Sequence, residues 1–259
     1  MDRQVTYDNI LNHVSFVDFS EKDFDFFMFL CSFFKDKGTE QQTIKYDDIM
    51  DCISWDKSQR IDVFHDEVKR LSNKLRALGG IIDINQDEFV CFNLFTTFRG
   101  NKQKRILTVS VNPDFAYVLN DIVGNFTRFE LNEYVSLKGR YTKQLYQHLK
   151  QFKATGLWVV PLDKFRHEMS IPASMPTMNI KSKILNPSIK TLQELPAFKT
   201  LKVDVIKTRD RKRSVQGYQF SWKKEEAKAS KKGLTKKNEA GFKQNNYNFD
   251  ELEQILTRN

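Results

Sequence analysis

The sequence has few cysteines and no motif that pairs them. Its 259 residues include three, Cys31, Cys52 and Cys91, which are widely spaced and form no CxxC pair. A zinc site or a disulfide framework needs cysteines at closer or more regular spacing. We therefore interpret all three as buried free thiols in a reducing cytoplasm, and we expect no bound metal.

Motifs for catalysis are also missing. No GxxxxGK[ST] segment is present, which excludes a P-loop ATPase. The four histidines form no HxH or HExxH pair, so the metal site of a rolling-circle nicking enzyme is absent, and no two-metal carboxylate cluster stands out. Tyr141 and Tyr146 could be proposed as nicking nucleophiles. Without a metal cluster beside them, we interpret Tyr146 as core and Tyr141 as core or a phosphate contact. We expect a binding protein without catalytic residues or a cofactor.

Long apolar runs and a leader pattern are absent as well. No run approaches the length of a membrane span, and the first residues, MDRQVTYDN, lack a signal-peptide pattern, so we expect no membrane partner. The charge is strongly unbalanced, with 42 Lys and Arg against 33 Asp and Glu, a net charge of +9. This excess favours an anionic partner, nucleic acid before any other.

The segment from Lys181 to Trp222 predicts a helix and a β-hairpin. The helix, IKSKILNPSIKTLQEL, has an apolar stripe at spacings of three and four. The strands LKVDVIKT and SVQGYQFSW alternate in polarity. The polar residues outside the stripe are Lys181, Lys183, Asn186 and Lys190, and the cations of the turn are Arg209, Arg211, Lys212 and Arg213. This is the layout of a winged helix, whose helix enters the major groove and whose hairpin tip contacts phosphates.

Pro187 lies inside the predicted helix. Either the helix starts near Asn186 with Pro187 in its first turn, or a longer helix is kinked there. We favour the longer, kinked helix because the apolar spacing is continuous from Ile184.

The first half repeats this layout. A long helix is predicted from about Asp56 to Leu78, and Gly79–Gly80 ends it. The strands EFVCFNLFTTF and RILTVSV follow, joined by the basic turn RGNKQKR. The residues that this half would present to DNA are Lys57, Gln59 and Arg60 on the outer face of the helix, and Lys102, Lys104 and Arg105 at the turn.

Each half thus runs helix, short strand, short helix, cation-faced helix and hairpin with a basic tip. We predict an α+β fold of two tandem winged-helix domains related by a pseudo-repeat. Residues 1–124 would contact the DNA backbone and carry the dimer contact, and residues 125–222 would provide the main DNA recognition. Residues 223–259 are Lys-rich and low in aliphatics, which predicts a flexible tail with a possible terminal helix.

Self-association is expected through the first half. The strand EFVCFNLFTTF is apolar on both faces, so an exposed edge or face would invite pairing. The alternative is that the short helix after Pro113 covers this strand.

Two motifs carry a family resemblance. The first is S-x-x-x-R-Y-x-x-x-L-Y-x-x-L from Ser136 to Leu149, and the second is K-x-x-x-L-N-P-x-I from Lys181 to Ile189. With the basic hairpin ending in GYQFSW, they resemble the initiator Rep proteins of theta-replicating plasmids, the RepB/RepE-like superfamily. The match covers residues 134–222; over residues 1–124 it rests on VTYDNILN and the element order. Arg140 and Tyr141, in the first motif, complete the predicted DNA-contacting set.

The resemblance implies function as well as fold. It implies binding of double-stranded DNA at directly repeated origin sites, recruitment of host replication proteins, and no catalysis, in the bacterial cytoplasm. It also implies a homodimer that represses its own promoter, in equilibrium with a monomer that initiates replication. The alternatives are a winged-helix transcription regulator, which tandem wings in one chain disfavour, and a tyrosine-dependent nicking enzyme.

Overall fold

The computed structural model describes residues 3–83, 87, 89–120, 122, 124–208 and 213–224. The elements of the first half are β1 (Gln4–Asp8), α1 (Glu21–Phe34), β2 (Gln42–Lys45), α2 (Tyr46–Cys52), α3 (Ile61–Arg76), β3 (Gly79–Asp83), β4 (Phe89–Asn93), β5 (Phe95–Asn101) and β6 (Ile106–Val111). Those of the second half are β7 (Phe126–Glu130), α4 (Leu131–Ser136), α5 (Arg140–Gln151), β8 (Leu157–Pro161), α6 (Leu162–Glu168), α7 (Thr177–Ile180), a π turn (Lys181–Leu185), α8 (Asn186–Leu192), β9 (Lys202–Lys207) and β10 (Val215–Ser221).

The two halves build their three-stranded sheets in the same order. The first sheet is β2-β6-β5 and the second is β8-β10-β9, and every pairing in both is antiparallel. In each half the central strand is the second strand of the hairpin that carries the basic turn, β6 in the first half and β10 in the second. The β5–β6 hairpin closes where Asn101 pairs with Ile106, within the predicted basic turn. The predicted pair of winged helices and their pseudo-repeat are therefore confirmed.

The strand that opens each half pairs with its counterpart. β1 and β7 form a two-stranded antiparallel sheet in which Gln4 lies opposite Glu130 and Asp8 opposite Phe126. This pair crosses the position predicted as the domain boundary, between residues 124 and 125. Both halves belong to one compact unit, Met1–Glu226.

Helix α1 lies at the centre of the first core, as its apolar faces predict. Ser20 caps it by accepting a hydrogen bond from the backbone of Asp23, whose carboxylate accepts one from the Ser20 amide. Phe16 packs on two of its rings, with centroids 5.1 Å from Phe24 and 5.4 Å from Phe27. Aromatic packing of this kind explains where much of the phenylalanine of the chain is used.

Helix α3 is shorter than predicted. It begins at Ile61 instead of Asp56, because the Asp56 carboxylate accepts hydrogen bonds from the Ser58 amide at 3.0 Å and hydroxyl at 2.7 Å. This local turn competes with the helix for the same backbone. Lys57, Gln59 and Arg60 consequently precede α3 and do not lie on its face.

The segment EFVCFNLFTTF is two strands, not the single strand predicted. The chain bends at Leu94, whose carbonyl accepts a hydrogen bond from the Asn112 amide at 2.8 Å, while the Asn112 side chain donates to the carbonyl of Asn93 at 3.0 Å. β4 then pairs with β3 in a separate hairpin between α3 and β5. Cys91 lies exposed on β4 and Cys52 is half-buried, so the prediction that all three thiols are buried holds in full for Cys31 alone of the three.

The helix around Pro187 is the longer of the two alternatives. It runs without interruption over residues 177–192, and the Asn186 amide donates to the carbonyl of Lys181, five residues earlier. Pro187 has no amide hydrogen for the carbonyl of Lys183 and its ring crowds that carbonyl, and a wider turn relieves the clash. We call this element the 177–192 helix below.

Within the part of the chain that the structure describes, no helix is both long enough and apolar enough to cross a membrane.

Candidate nucleic-acid interface

The 177–192 helix presents a cationic outer face. Its inner stripe is buried, with Ile180 and Leu192 fully enclosed. The predicted contact residues Lys181, Lys183, Asn186 and Lys190 are all exposed. Over the described residues none of the three lysines forms an ion pair, so their charge is available to an external anion. Their predicted orientation is confirmed, and their contact with DNA stays a prediction.

Two further residues share this outer face. Met178 is 82% exposed in the first turn of the helix, and Ser182 lies exposed one turn later. Neither residue was predicted from the sequence, since a methionine near a helix start is ordinarily assigned to the core and a serine is not distinctive.

The hairpin of the second half follows this helix, as predicted. The amide of Thr208 donates to the carbonyl of Ser214 at 2.8 Å, which closes the base of the turn. Arg213 is exposed, in the left-handed region at φ 47°. Arg209, Arg211 and Lys212, predicted to contact phosphates, lie outside the described residues.

The hairpin tip of the first half is held by acidic side chains of its own domain. The ammonium of Lys102 lies 2.6 Å from the carboxylate of Asp62, at the start of α3, and the guanidinium of Arg105 lies 2.8 Å from that of Asp47, on α2. Lys104 is exposed. Two of the three predicted tip cations are therefore partly neutralised within the protein.

The cations before α3 are paired in the same way. Lys57 lies 2.5 Å from the carboxylate of Asp51, and Arg60 lies 2.9 Å from that of Asp62. Gln59 is exposed. The predicted DNA-contacting surfaces of the two halves thus differ in electrostatics although the halves share a fold: most cations of the first are paired with carboxylates, and the lysines of the 177–192 helix form no ion pair in the described chain.

A groove of about 390 Å³ separates α3 from strand β5. Lys69, Asn73 and Arg76 line its helical side at spacings of four and three. Gly100 of β5 lies at the opposite side, and the Tyr46 hydroxyl of α2 makes a 2.6 Å hydrogen bond to the ring of His65 on α3. Lys69 and Arg76 were not among the predicted site residues, although their spacing places them on one helical face.

Arg140 and Tyr141 lie at the start of α5. The Arg140 guanidinium donates to the carbonyl of Ser170 at 3.3 Å and to that of Phe16 at 3.5 Å, and it sits 4.9 Å from the centre of the Tyr141 ring. Both side chains are half-buried. Tyr146 is fully buried, and its hydroxyl donates to the Glu133 carboxylate. Tyr146 is core, as predicted, and cannot reach a phosphate.

A buried ion pair joins the halves beneath this surface. The Lys143 ammonium of α5 lies 2.6 Å from the Asp25 carboxylate of α1, and it also donates to the carbonyl of Tyr134 at 2.9 Å. Burial raises the pKa of Asp25 to about 6 against the attraction of Lys143, and burial lowers the pKa of Lys143. For this pair the loss of hydration outweighs the mutual attraction.

Glu168 on α6 forms a second polar link between the halves. Its carboxylate accepts a hydrogen bond from the His13 ring at 2.8 Å and lies 3.9 Å from the His148 ring. Burial pushes the pKa of Glu168 upward, but the hydrogen bond from His13 and the charges around it outweigh burial, so the pKa lies below its ordinary value. Burial lowers the pKa of His148, which therefore stays neutral.

Across the described ranges, no group of three or more His, Cys, Asp or Glu side chains could hold a metal ion.

The fold and the cationic helix define a tandem winged-helix protein. Two family descriptions match the sequence: "Initiator Replication protein, WH1" over residues 4–150 and "Initiator Rep protein, WH2" over residues 161–222. The chain belongs to this family of replication initiator proteins, as its sequence motifs predict. The WH1 match spans the first winged helix and continues through β7 and α4 into α5, and the WH2 match begins at Pro161, the last residue of β8.

Relatives of known sequence and structure agree with this assignment. A "Probable replication protein rep" of Bifidobacterium longum (strain NCC 2705) is 27% identical over 223 residues, which cover 85% of this chain and 73% of that protein. The crystal structure of the Pi initiator protein in complex with iteron DNA superposes with a TM-score of 0.63 and covers 86% of this chain and 99% of that one. At 14% identity, this second likeness concerns the fold.

Proposed function

We propose that the protein initiates replication of a plasmid by binding directly repeated double-stranded DNA sites at its origin. The observation that carries the proposal is the outer face of the 177–192 helix, where Lys181, Lys183 and Lys190 are exposed and unpaired within the described chain. A helix of this kind beside a basic hairpin is suited to the major groove. The Pi initiator, which shares the fold, was crystallised on iteron DNA, which supports the same class of ligand here.

The helix and the hairpin of the second half have different roles in this proposal. Asn186 is suited to adenine and the lysines to guanine in the major groove, so the helix supplies base preference. Arg209, Arg211, Lys212 and Arg213 contact phosphates, which adds affinity for any sequence. Arg140 and Tyr141 are proposed as further contacts at the start of α5.

The first half has two proposed roles. It contacts the DNA backbone through the region of Lys57, Gln59, Arg60, Lys102, Lys104 and Arg105, and it forms a homodimer in equilibrium with the monomer. The exposed face of β4 supports the second role, since Phe89 is 63% exposed and Cys91 lies on the same side of the strand. In line with the family resemblance, the dimer represses the promoter, and the monomer opens replication by recruiting host proteins.

Affinity measured against salt tests the DNA-binding roles. The ligands are a duplex with the direct repeats that flank the gene and a scrambled duplex of equal composition. The helix variant Lys181→Ala/Lys183→Ala/Lys190→Ala should lose preference for the repeats, by ~1–3 kcal/mol for each base contact removed. The variant with all four hairpin cations replaced by Ala should bind every duplex more weakly and lower the salt slope by at most ~3.6, since each phosphate contributes ~0.9.

A matched control and two contrary outcomes complete the test. Lys199→Ala/Lys202→Ala removes two exposed lysines of the same domain, one before β9 and one at the end of β9 away from the hairpin tip, and should keep the wild-type preference for the repeats. Equal affinity of the wild type for repeats and scrambled duplex would contradict the proposal. Uniform weakening by the helix variant, or an unchanged salt slope in the hairpin variant, would mean that the two roles are wrongly assigned.

A further inference from the structure

Met178 is the most exposed large hydrophobic side chain in the described part of the protein. It is 82% exposed, against 63% for Phe89 and 61% for Val17. The fold does not need it, because Ile180 and Ile184 already anchor this end of the 177–192 helix in the core. Single exposed apolar residues are common on protein surfaces, and Met178 is singled out by its position among the exposed polar residues of the 177–192 helix.

The start of this helix is fixed in place. The Arg166 guanidinium, at the end of α6, donates to the carbonyl of Met175 at 2.8 Å, to the Thr177 hydroxyl at 3.0 Å and to the carbonyl of Pro172 at 3.3 Å. These bonds tie the segment that leads into the helix to α6. Met178 is consequently presented from a braced turn and not from a loose chain end.

The π turn aligns Met178 with the polar residues of the outer face. An α-helical turn takes about 3.6 residues, and a π turn takes roughly one more, because its hydrogen bonds span five residues instead of four. One turn of each kind spans roughly eight residues, which is the separation of Met178 and Asn186. The two side chains therefore lie along one line of the helix, with Ser182 between them and Lys181 and Lys183 beside it.

We propose that Met178 contacts the 5-methyl group of a thymine in the major groove of the origin repeats and so selects thymine at one position. The proposal rests on the DNA-binding role given above to the 177–192 helix. The thymine methyl is the apolar feature of the base edges in the major groove. A thioether side chain cannot donate a hydrogen bond to a base or pair with a phosphate, but its flexibility lets it pack on a methyl group.

Replacing single thymines by deoxyuridine tests this contact, since the change removes the methyl group and keeps the base pair. The repeat duplex is titrated with the full-length wild type, with Met178→Ala and with Val17→Ala, a control at another exposed apolar residue. Replacing the contacted thymine should weaken wild-type binding about fourfold. This factor follows from a loss of ~0.8 kcal/mol for one apolar carbon, converted at ~1.4 kcal/mol per tenfold change in affinity. Met178→Ala should bind the unmodified repeats more weakly by a similar or larger factor and should show no further loss with that replacement.

Each contrary result has a distinct meaning. If the wild type binds repeats and scrambled duplex equally, the proposed function fails and this inference fails with it. If the wild type prefers the repeats but no deoxyuridine weakens it, or if Met178→Ala keeps the full sensitivity to deoxyuridine, the methyl contact is overturned while the proposed function stands. If Val17→Ala abolishes the sensitivity as Met178→Ala does, the effect is not specific to this side chain, and the inference is overturned.

Discussion

Asp23 and Asp25 lie two residues apart on α1, and their surroundings shift their pKa values in opposite directions. Burial acts on both. At Asp23, hydrogen bonds from Lys74, Ser20 and Arg70 outweigh burial and lower the pKa. At Asp25, burial outweighs the attraction and hydrogen bond of Lys143, and the pKa rises from 3.8 to about 6. The number of donors around a carboxylate, not burial alone, decides whether its charge stabilises the fold.

The raised pKa of Asp25 predicts a dependence of stability on pH. Folded Asp25 keeps its proton up to about pH 6, whereas the unfolded chain loses it near pH 4, so the contribution of this group falls as the pH rises between these values. Asp25→Asn removes the titration. The free energy of unfolding of Asp25→Asn, measured by urea denaturation, should therefore increase relative to that of the wild type by about 2 kcal/mol between pH 4 and pH 7.

Asp23→Asn is the matched control for this measurement. The lowered pKa of Asp23 gives a stabilisation that is present above pH 4 and is lost only as the pH falls below that value. The difference between Asp23→Asn and the wild type should accordingly stay flat from pH 4 to pH 7. A flat difference for Asp25→Asn as well would mean that Lys143 offsets the burial of Asp25 in full.

Gly217 on β10 predicts a second effect at the scale of one residue. A Cβ atom there would lie 2.5 Å from the carbonyl oxygen of Val160 on the neighbouring strand β8. Gly217→Ala should therefore disturb the β8–β10 pairing and lower the free energy of unfolding by roughly 1–3 kcal/mol. Gly100→Ala is the comparison, because the added Cβ would lie 2.9 Å from the Tyr46 hydroxyl, a longer approach to a side-chain atom and not to the backbone of a neighbouring strand. In thermal unfolding, Gly217→Ala should have a lower Tm than Gly100→Ala. The reverse order would contradict this prediction.

At the scale of elements, the two winged helices differ in how their cations are used. In the first, Lys102 and Arg105 are paired with Asp62 and Asp47, and in the second the lysines of the 177–192 helix have no acidic partner in the described chain. Internal pairing reduces the charge that a phosphate can meet, so the first half should contribute less to the salt dependence of binding.

Releasing these cations should strengthen binding. Asp47→Asn/Asp62→Asn should raise the affinity for any duplex and steepen the salt slope by up to ~2.7, from the three released cations Arg60, Lys102 and Arg105 at ~0.9 each. The control Asp114→Asn/Asp163→Asn makes the same change in net charge at two exposed carboxylates without an ion pair in the described structure. Measuring affinity as a function of salt concentration distinguishes the two variants. Identical salt slopes would show that binding depends only on net charge and not on the release of these cations.

Sequence patterns predicted some elements well and others poorly, for identifiable physical reasons. The 177–192 helix was predictable because its apolar spacing is regular, and Gly217 marked a gap in its strand where the structure has a register shift between Val215 and Gly217. The start of α3 was missed because of the side chain of Asp56. The bend at Leu94 was missed because Asn112, 18 residues later, holds it.

The candidate site was predictable in outline only. The lysines of the helix stand out because they lie on the face opposite a regular apolar stripe. The ion pairs of Lys102 and Arg105 depend on residues that lie 40 and 58 positions away in the sequence, and the exposure of Met178 depends on which face the core covers. The tertiary structure decides which side chains form ion pairs and which are exposed. A local sequence pattern does not contain this information.

At the scale of the whole molecule, the two winged helices are not independent. The β1–β7 pair, the Asp25–Lys143 ion pair and the His13–Glu168 contact all cross between them. A fragment that begins at residue 125 would lack β1, the partner of β7. It would also expose Lys143 and Glu168, which lose their partners Asp25 and His13. Tests of this protein therefore require the full chain or changes at its surface.

The tail is one part that can be removed without breaking these contacts. Two hydrogen bonds hold the end of the described chain. The Trp222 amide donates to the carbonyl of Gly156, and the Lys223 amide donates to the Thr200 hydroxyl. Residues 225–259 lie outside the described residues, and their composition cannot build a core. Truncation after Lys224 should preserve the preference for repeats over scrambled duplex while weakening both affinities, because cations are lost. Loss of the preference in the same titration would show that the tail takes part in recognition.

Self-association is expected to use the β3–β4 hairpin of the first half. Phe89 is 63% exposed there, at one end of a strand that pairs with a single neighbour in the described chain. In a two-fold dimer each contact occurs twice, so burying this ring would supply ~3–6 kcal/mol. Phe89→Lys should therefore weaken the dimer at least ~100-fold in equilibrium sedimentation of the full chain. Tyr117→Lys is the control, because this ring is 49% exposed on the turn that follows β6.

Cys91 provides an independent measurement of the same interface. It is the exposed cysteine on β4, whereas Cys31 is buried and Cys52 half-buried, so mild oxidation should give a disulfide-linked dimer through Cys91 in the wild type. That dimer should disappear in Cys91→Ser and diminish in Phe89→Lys. If the wild type forms a dimer that Phe89→Lys does not weaken, and if oxidation gives no Cys91 cross-link, self-association uses another surface. The exposed face of β4 would then bind a different partner.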